Sequence, residues 1–195
     1  MNITLDYLKS INACSEAIDY FIAANKEQSD IDWLKELIAD GKLDWANWFI
    51  TRQMTHEQQL KYAIYAAEQV LYIYENKYPD DKRPRLAIQA AKYYLKKPLR
   101  ENKDATADAA YAAFAAGAAS AADAADAAAY AAAAAAADAA ADAAADAAAD
   151  AADAAHAADA AADAADASRK NMRLKMLEYG ISLLKTSEAL CVKVS

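Results

Sequence analysis

Few side chains in this 195-residue chain are of a type and spacing that could do chemistry, and each candidate has a plain structural reading. His56 opens the run HEQQL but lacks the second histidine, four residues on, that a helical zinc protease motif requires, so no zinc site follows. The only other histidine, His156, occupies an aspartate slot in a polar row and reads as an exposed side chain. Cys14 and Cys191 stand near opposite ends in apolar, helix-like surroundings, which predicts buried free thiols and a reducing, cytoplasmic compartment. Gly41, Gly117 and Gly180 are isolated, so there is no phosphate-binding loop, and no Ser/His/Asp or Cys/His arrangement can be nominated. The expectation is a protein without a catalytic residue, a metal or a cofactor.

Three features could instead recognise a partner. Trp45, Trp48 and Arg52 fall on one helical face and are residue types enriched at protein–protein hot spots, although tryptophans at helical spacing also build cores. Lys82, Arg83, Arg85, Lys92, Lys96, Lys97, Arg100 and Lys103 form a basic run that could sequester a small anion or meet nucleic acid. With no aromatic stacking platform or reading helix beside it, internal pairing with Asp80, Asp81 or the aspartate row is expected, and nucleic acid is not an expected partner. Asp142, Asp146 and Asp150 belong to the third feature, a regular row of carboxylates. A straight row on one helix cannot converge on a calcium ion as a bent loop does, so a solvated face is the reading, one that a basic protein surface could still engage.

That row lies in the stretch that dominates the sequence. Of the 64 residues from Asp104 to Ala167, 45 are Ala and 12 are Asp, with no Lys, Arg or Pro. The tract therefore carries −12, while the remaining 21 basic and 17 acidic residues give +4, which together make the net −8. Alanine loses no side-chain entropy on entering a helix, so the tract is predicted helical. From Asp138 to Asp166 the polar positions recur on average every 3.5 residues, a period that keeps one face turned to a neighbour through gentle supercoiling. A single helix over 104–167 would be about 96 Å long at 1.5 Å per residue, so turns are expected near Gly117–Ser120 and among Ala131–Ala137. The alanine faces bury little area each, and the Tyr and Trp side chains of residues 33–94 are the expected bulky cover.

The rest of the chain reads as amphipathic helices. Thr4–Ala24 is expected to be one helix. Asp30 can cap a short second helix bearing Trp33, Leu34, Leu37 and Ile38, ended by Gly41 in a left-handed cap. Asp44 opens DWANWFITRQM, and Thr55 to Gln58 make a capping box for a tyrosine-rich helix that reaches about Tyr78 before Pro79. Asp80 or Asp81 caps the next helix, Pro84 sits in its first turn, and Pro98 closes it. After Ser168, Met172, Met176, Tyr179, Leu183 and Leu184 mark a closing helix. No apolar run is long enough to cross a membrane, and no basic region followed by an apolar run suggests a secretory signal. The expected fold is all-α: a multi-helix antiparallel bundle with a close-packed alanine-rich layer, in one domain made of an aromatic-rich half (1–103), Ala/Asp-rich helices (104–167) and a closing helix (168–195).

Several pieces of the chain resemble the Imm-5-like immunity proteins of bacterial polymorphic-toxin systems and their phage-encoded relatives. They are Ala13-Cys14 with Glu16, then Leu43-Asp44-Trp45-Ala46-Asn47-Trp48, and then Tyr78-Pro79-Asp80-Asp81-Lys82-Arg83-Pro84-Arg85 followed by Ala87-Ile88 and Ala90-Ala91. The resemblance implies a helical protein that inhibits by binding another protein, a toxin or a host defence component. An interaction scaffold without inhibitory action is the alternative, with anion sequestration by 82–103 a third. The tract generates its own test: Ala145→Leu or Ala148→Leu destabilises by about 1–3 kcal/mol if that face is a tight seam. Asp146→Lys stays within about 0.5 kcal/mol. Equal, small effects in urea melts would mean that the tract packs against nothing.

Overall fold

The computed structural model describes residues 2–24, 28–98 and 162–191, and among these the chain is helical apart from one two-strand ladder. In order come β1 (Asn2–Ile3), α1 (Leu5–Ser10), α2 (Ser15–Ala24), β2 (Gln28–Ser29), α3 (Asp30–Ala39), α4 (Leu43–Gln53), α5 (His56–Lys77), α6 (Arg83–Lys96) and α7 (Ala162–Cys191). The all-α expectation holds. The alanine-rich layer, its turns near 117–120 and 131–137, and Asp142, Asp146, Asp150 and His156 lie outside the described residues.

Local chemistry sets most boundaries. The expected single helix over Thr4–Ala24 is in fact two. Thr4 caps α1 by accepting the Tyr7 N–H at 3.2 Å. The helix then stops because Asn12 adopts a left-handed backbone (φ 58°), with Asn12 N–H donating to the Lys9 carbonyl and Ala13 N–H to Leu8. This is a Schellman closure with asparagine in the position glycine usually takes, and asparagine tolerates that backbone better than most residues. Gly41 (φ 70°) makes the same closure after α3, as expected, through Gly41 N–H to Ile38 and Lys42 N–H to Leu37. Ser29, and not Asp30, caps α3 by accepting from Asp32 N–H at 3.1 Å. The Thr55–Gln58 capping box is present with both reciprocal hydrogen bonds. The β1–β2 ladder pairs Asn2 with Ser29 and Ile3 with Gln28, which seals the fully buried Ile3 against the start of α3.

The helices pack around α5, whose Leu60, Tyr62, Ala63, Ala66, Ala67 and Val70 are almost wholly buried. α6 folds back antiparallel on it: Glu75 pairs with Arg85 and Glu68 with Lys92, the register of a tight helical hairpin. α7 runs antiparallel to α5, since Tyr65 stacks on Tyr179 (4.1 Å, 19°) and Gln58 Nε2 donates to the Leu183 carbonyl at 2.7 Å. It runs parallel to α4, which it meets at Asp44–Arg173 near one end and at Ile50 and Met54 further along. α7 starts at Ala162, so the last residues of the alanine tract continue into the closing helix without a break at Ser168.

Gly180 makes the three-helix contact possible. A Cβ there would lie 2.7 Å from Ile50 Cδ1, 3.0 Å from Tyr62 Cε2 and 3.1 Å from Met54 Cε. Ile50 and Tyr62 are fully buried and have no free space to retreat into. Tyr62 buries its ring only because its hydroxyl donates to Asn47 Oδ1 at 2.8 Å, and burial drives its pKa far upward. Glycine in a helix is ordinarily worth about 0.5–1 kcal/mol less than alanine. Gly180→Ala is nevertheless expected to destabilise by about 1–2 kcal/mol, the overpacking cost exceeding the propensity gain. Adding Ile50→Val, which removes Cδ1, should recover part of that loss. Additive effects of the two substitutions in urea melts would show that Ile50 is not the obstacle.

Candidate functional site

Two surfaces gather the residues singled out above. The first lies where α1, α2, α3 and α4 meet. Trp33, Leu37, Leu8 and Phe49 are at most 2 % exposed and form the floor of an open cavity of about 270 Å³. Half-buried Trp45 and Trp48, with Ala13 and Ala17, form its walls, and exposed Asn12, Cys14 and Asp44 stand at its mouth. The break after α1 creates this mouth, because Asn12, Ala13 and Cys14 are the residues that turn the chain between α1 and α2.

The aromatic walls are held from behind. Tyr20 packs edge-on against Trp45 (5.8 Å) and tilted against Trp33 (5.6 Å), while Phe21 meets Trp33 edge-on (5.3 Å). The Tyr20 hydroxyl donates to Asp40, which pushes its pKa up to about 12, burial adding to the effect. The guanidinium of Arg52 lies 3.9 Å over the Trp48 ring and its Nη1 donates to the Trp48 carbonyl at 3.0 Å. Lys42 Nζ sits 4.8 Å over Trp45. Gln53 Nε2 donates to the Tyr7 hydroxyl at 2.7 Å and ties α4 to α1. Trp45, Trp48 and Arg52 thus share one face as expected, with the tryptophans divided between core and surface.

Cys14 is exposed, not buried as the sequence suggested. The apolar neighbours that implied burial, Ile11, Ala13, Ala17 and Ile18, would surround it in an unbroken helix, and the turn at Asn12 removes it from that stripe. The carboxyl of nearby Glu16 is held below its usual range first by a backbone N–H at the start of α2, then by Cys14 and Ser15. The side chain of Cys191 is outside the described ones.

The second surface is the α5–α6 hairpin. Asp81 accepts from the Arg83 guanidinium (Nε at 3.0 Å, Nη2 at 2.5 Å), from the Arg83 backbone N–H (3.0 Å) and from the buried Tyr74 hydroxyl (2.8 Å). The N-cap position itself falls on Lys82, which makes no side-chain cap; Asp81, one residue earlier, accepts the first helical N–H, and Pro84 follows in the first turn as expected. Arg85 makes a two-pronged contact with Glu75, and Lys92 pairs with Glu68. Lys82 Nζ donates to the Pro79 carbonyl and Lys97 lies over Tyr93. Lys82, Arg83, Arg85 and Lys92 are thus committed to their own chain, while Arg100 and Lys103 lie outside the described residues. Asp81 was foreseen as a partner; Glu68 and Glu75 were not, although their spacing of seven marks one face of α5, a signal that could have found them. His56 stands exposed, edge-on to Tyr94 (6.4 Å). Leu86 and Tyr93, seven residues apart on α6, are more than half exposed. No described helix is long and apolar enough to cross a membrane.

An all-helical bundle with an ion-paired helical hairpin and an open aromatic cavity defines the class. Residues 50–100, which run from the end of α4 through α5 and α6, match the family model described as Imm-5 like putative immunity protein. The resemblance carried by Tyr78 to Ala91 is shown within that range, while Ala13–Glu16 and Leu43–Trp48 lie outside it. No curated protein and no solved structure matches the chain at a significant level.

The Asp81 cluster has a pH consequence. Arg83 first, then the capping N–H and Tyr74, hold the Asp81 carboxyl well below the ordinary aspartate range despite the opposing effect of desolvation. Its folded pKa lies below its unfolded value of about 3.9, so its contribution is complete above that value and is lost as pH falls through the folded pKa. Asp81→Asn should therefore flatten the fall of the urea midpoint between pH 5 and pH 2, while lowering stability at pH 7 by about 1–2 kcal/mol through the weakened cap. An unchanged acid slope would place the acid sensitivity elsewhere.

Proposed function

We propose that the protein acts without catalysis, as an immunity-type inhibitor that binds and neutralises another protein, a bacterial toxin or a defence component. The observation that carries this reading is the match of residues 50–100 to the immunity-protein family model. Trp45, Trp48 and Arg52 support a protein partner: a half-buried aromatic pair with a stacked arginine gives large contact area at little additional ordering cost. Asp142, Asp146 and Asp150 could engage a basic surface of the partner, and Arg83 and Arg85 are further candidate contacts. Anion sequestration by 82–103 is weaker, because Arg83, Arg85 and Lys92 already pair with carboxylates of the same chain. A phage-encoded, counter-defence setting would fit the same inhibitory chemistry.

Affinity purification of the tagged chain from its native host, followed by native mass measurement, tests the reading. One protein at one-to-one stoichiometry is expected, with its toxicity relieved on co-expression. Trp48→Ala should weaken that complex roughly tenfold or more, as hot-spot truncations do, with the helical circular dichroism unchanged. A complex whose toxicity persists, or a co-purifying small anion in place of a protein, would overturn it.

A further inference from the structure

Trp45 and Trp48 wall the cavity between α1, α2, α3 and α4 and also belong to the proposed partner surface, but the interior of the cavity has no role in that reading, and its construction is that of a preformed ligand site. At about 270 Å³ it exceeds the roughly 150 Å³ that suffices to hold benzene in an engineered apolar cavity, and it falls just below the usual range of ligand pockets. Apolar side chains around an accidental void tend to relax into it. Here Trp33 and Trp45 are braced by Tyr20, which is itself fixed to Asp40, and Trp48 is braced by Arg52, so the rings are held apart. The floor is apolar and uncharged, which excludes a charged head from its depth. The polar groups at the mouth include the Asp44 carboxylate, which accepts from Arg173 Nη1 at 2.5 Å, while Lys42 lies over Trp45 and Arg52 over Trp48. A carboxylate has about four acceptor sites, so Asp44 keeps acceptor capacity beyond its contact with Arg173.

We infer that this cavity binds a flat, uncharged aromatic group of one or two rings, oriented by a single hydrogen-bond donor directed at the mouth. Such a group can arrive as a free compound or as a side chain displayed by a protein, and the inference does not depend on the proposed inhibitory role.

Isothermal titration of the full-length chain with indole tests it. A Kd between about 10 µM and 1 mM is expected for a ligand of this size. Indole-2-carboxylate should bind roughly tenfold more weakly or worse, because its charge would lose water against the apolar floor. N-acetyltryptophanamide distinguishes the sources: binding like indole shows that the mouth admits a ring carried on a peptide, and loss of binding assigns the site to free compounds. Ala17→Leu, which fills the cavity, should abolish binding at an unchanged melting temperature. Should that variant fail to fold, Cys14 gives the answer in a Cys191→Ser background. Saturating indole is then expected to slow its modification by a thiol reagent severalfold, because the thiol lines the same cavity. No heat with indole and no protection of Cys14 would overturn the inference, as would equal affinity for the carboxylate.

Discussion

The close approach of α7 to α4 and α5 at Gly180 is the contact on which the described structure depends. Three helices meet where one of them has no side chain, and Ile50, Met54 and Tyr62 fill the space that a Cβ would occupy. The arrangement buries a tyrosine hydroxyl, which Asn47 satisfies, and it sets the height at which Tyr65 stacks on Tyr179 and Gln58 reaches the Leu183 carbonyl. Gln58 thus serves two ends at once: it completes the box that starts α5 and fastens that start to α7. A helix cap and a tertiary tie made by one side chain couple local and long-range order.

The α5–α6 hairpin works by a different principle. The two helices bury small residues, Ala66, Ala67, Ala87 and Ala91, together with the larger Leu71, Tyr74 and Ile88, and each alanine gains little apolar area. Its rim compensates with charge, through Glu75–Arg85 and Glu68–Lys92, and its turn is fixed by Asp81. Exposed ion pairs of this kind contribute modestly to stability, yet they fix register, because a slip of one position would separate each pair. This explains why Arg83, Arg85 and Lys92, which resemble part of a binding patch, form a structural lattice. The segment that matches the immunity-protein family contains this lattice whole, whereas the aromatic cavity draws on residues before it.

Much of this was legible in the sequence because it is written in short-range chemistry. Gly41, the Thr55–Gln58 box and the Pro79–Pro84 punctuation each act over a few residues, and the structure places each as read. The misreadings share a cause. The periodic apolar residues of Thr4–Ala24 continue across the break, so periodicity alone hides it, and only the αL tolerance of Asn12 signals a stop. Burial of Cys14 was inferred from that same continuous helix and fails with it. Gly180 is silent in sequence because its meaning lies in residues more than a hundred positions away. The cavity is silent for the same reason: Leu8, Trp33 and Trp48 mark core or surface singly, and only their convergence leaves a gap.

Because α7 follows α5 by so many residues, the chain is synthesised in an order that delays its own closure. Tyr62 leaves the ribosome 118 residues ahead of Gly180. At ordinary translation speeds of about 5–20 residues per second, the apolar seam of α4 and α5 waits roughly 6–24 s for its third wall. The ion pairs of the α5–α6 hairpin and its turn at Asp81 involve no downstream residue, so they can form in that interval. A nascent chain would therefore carry a finished, charge-laced hairpin beside an uncovered strip of Ile50, Met54 and Tyr62, and that strip is where a chaperone would first take hold.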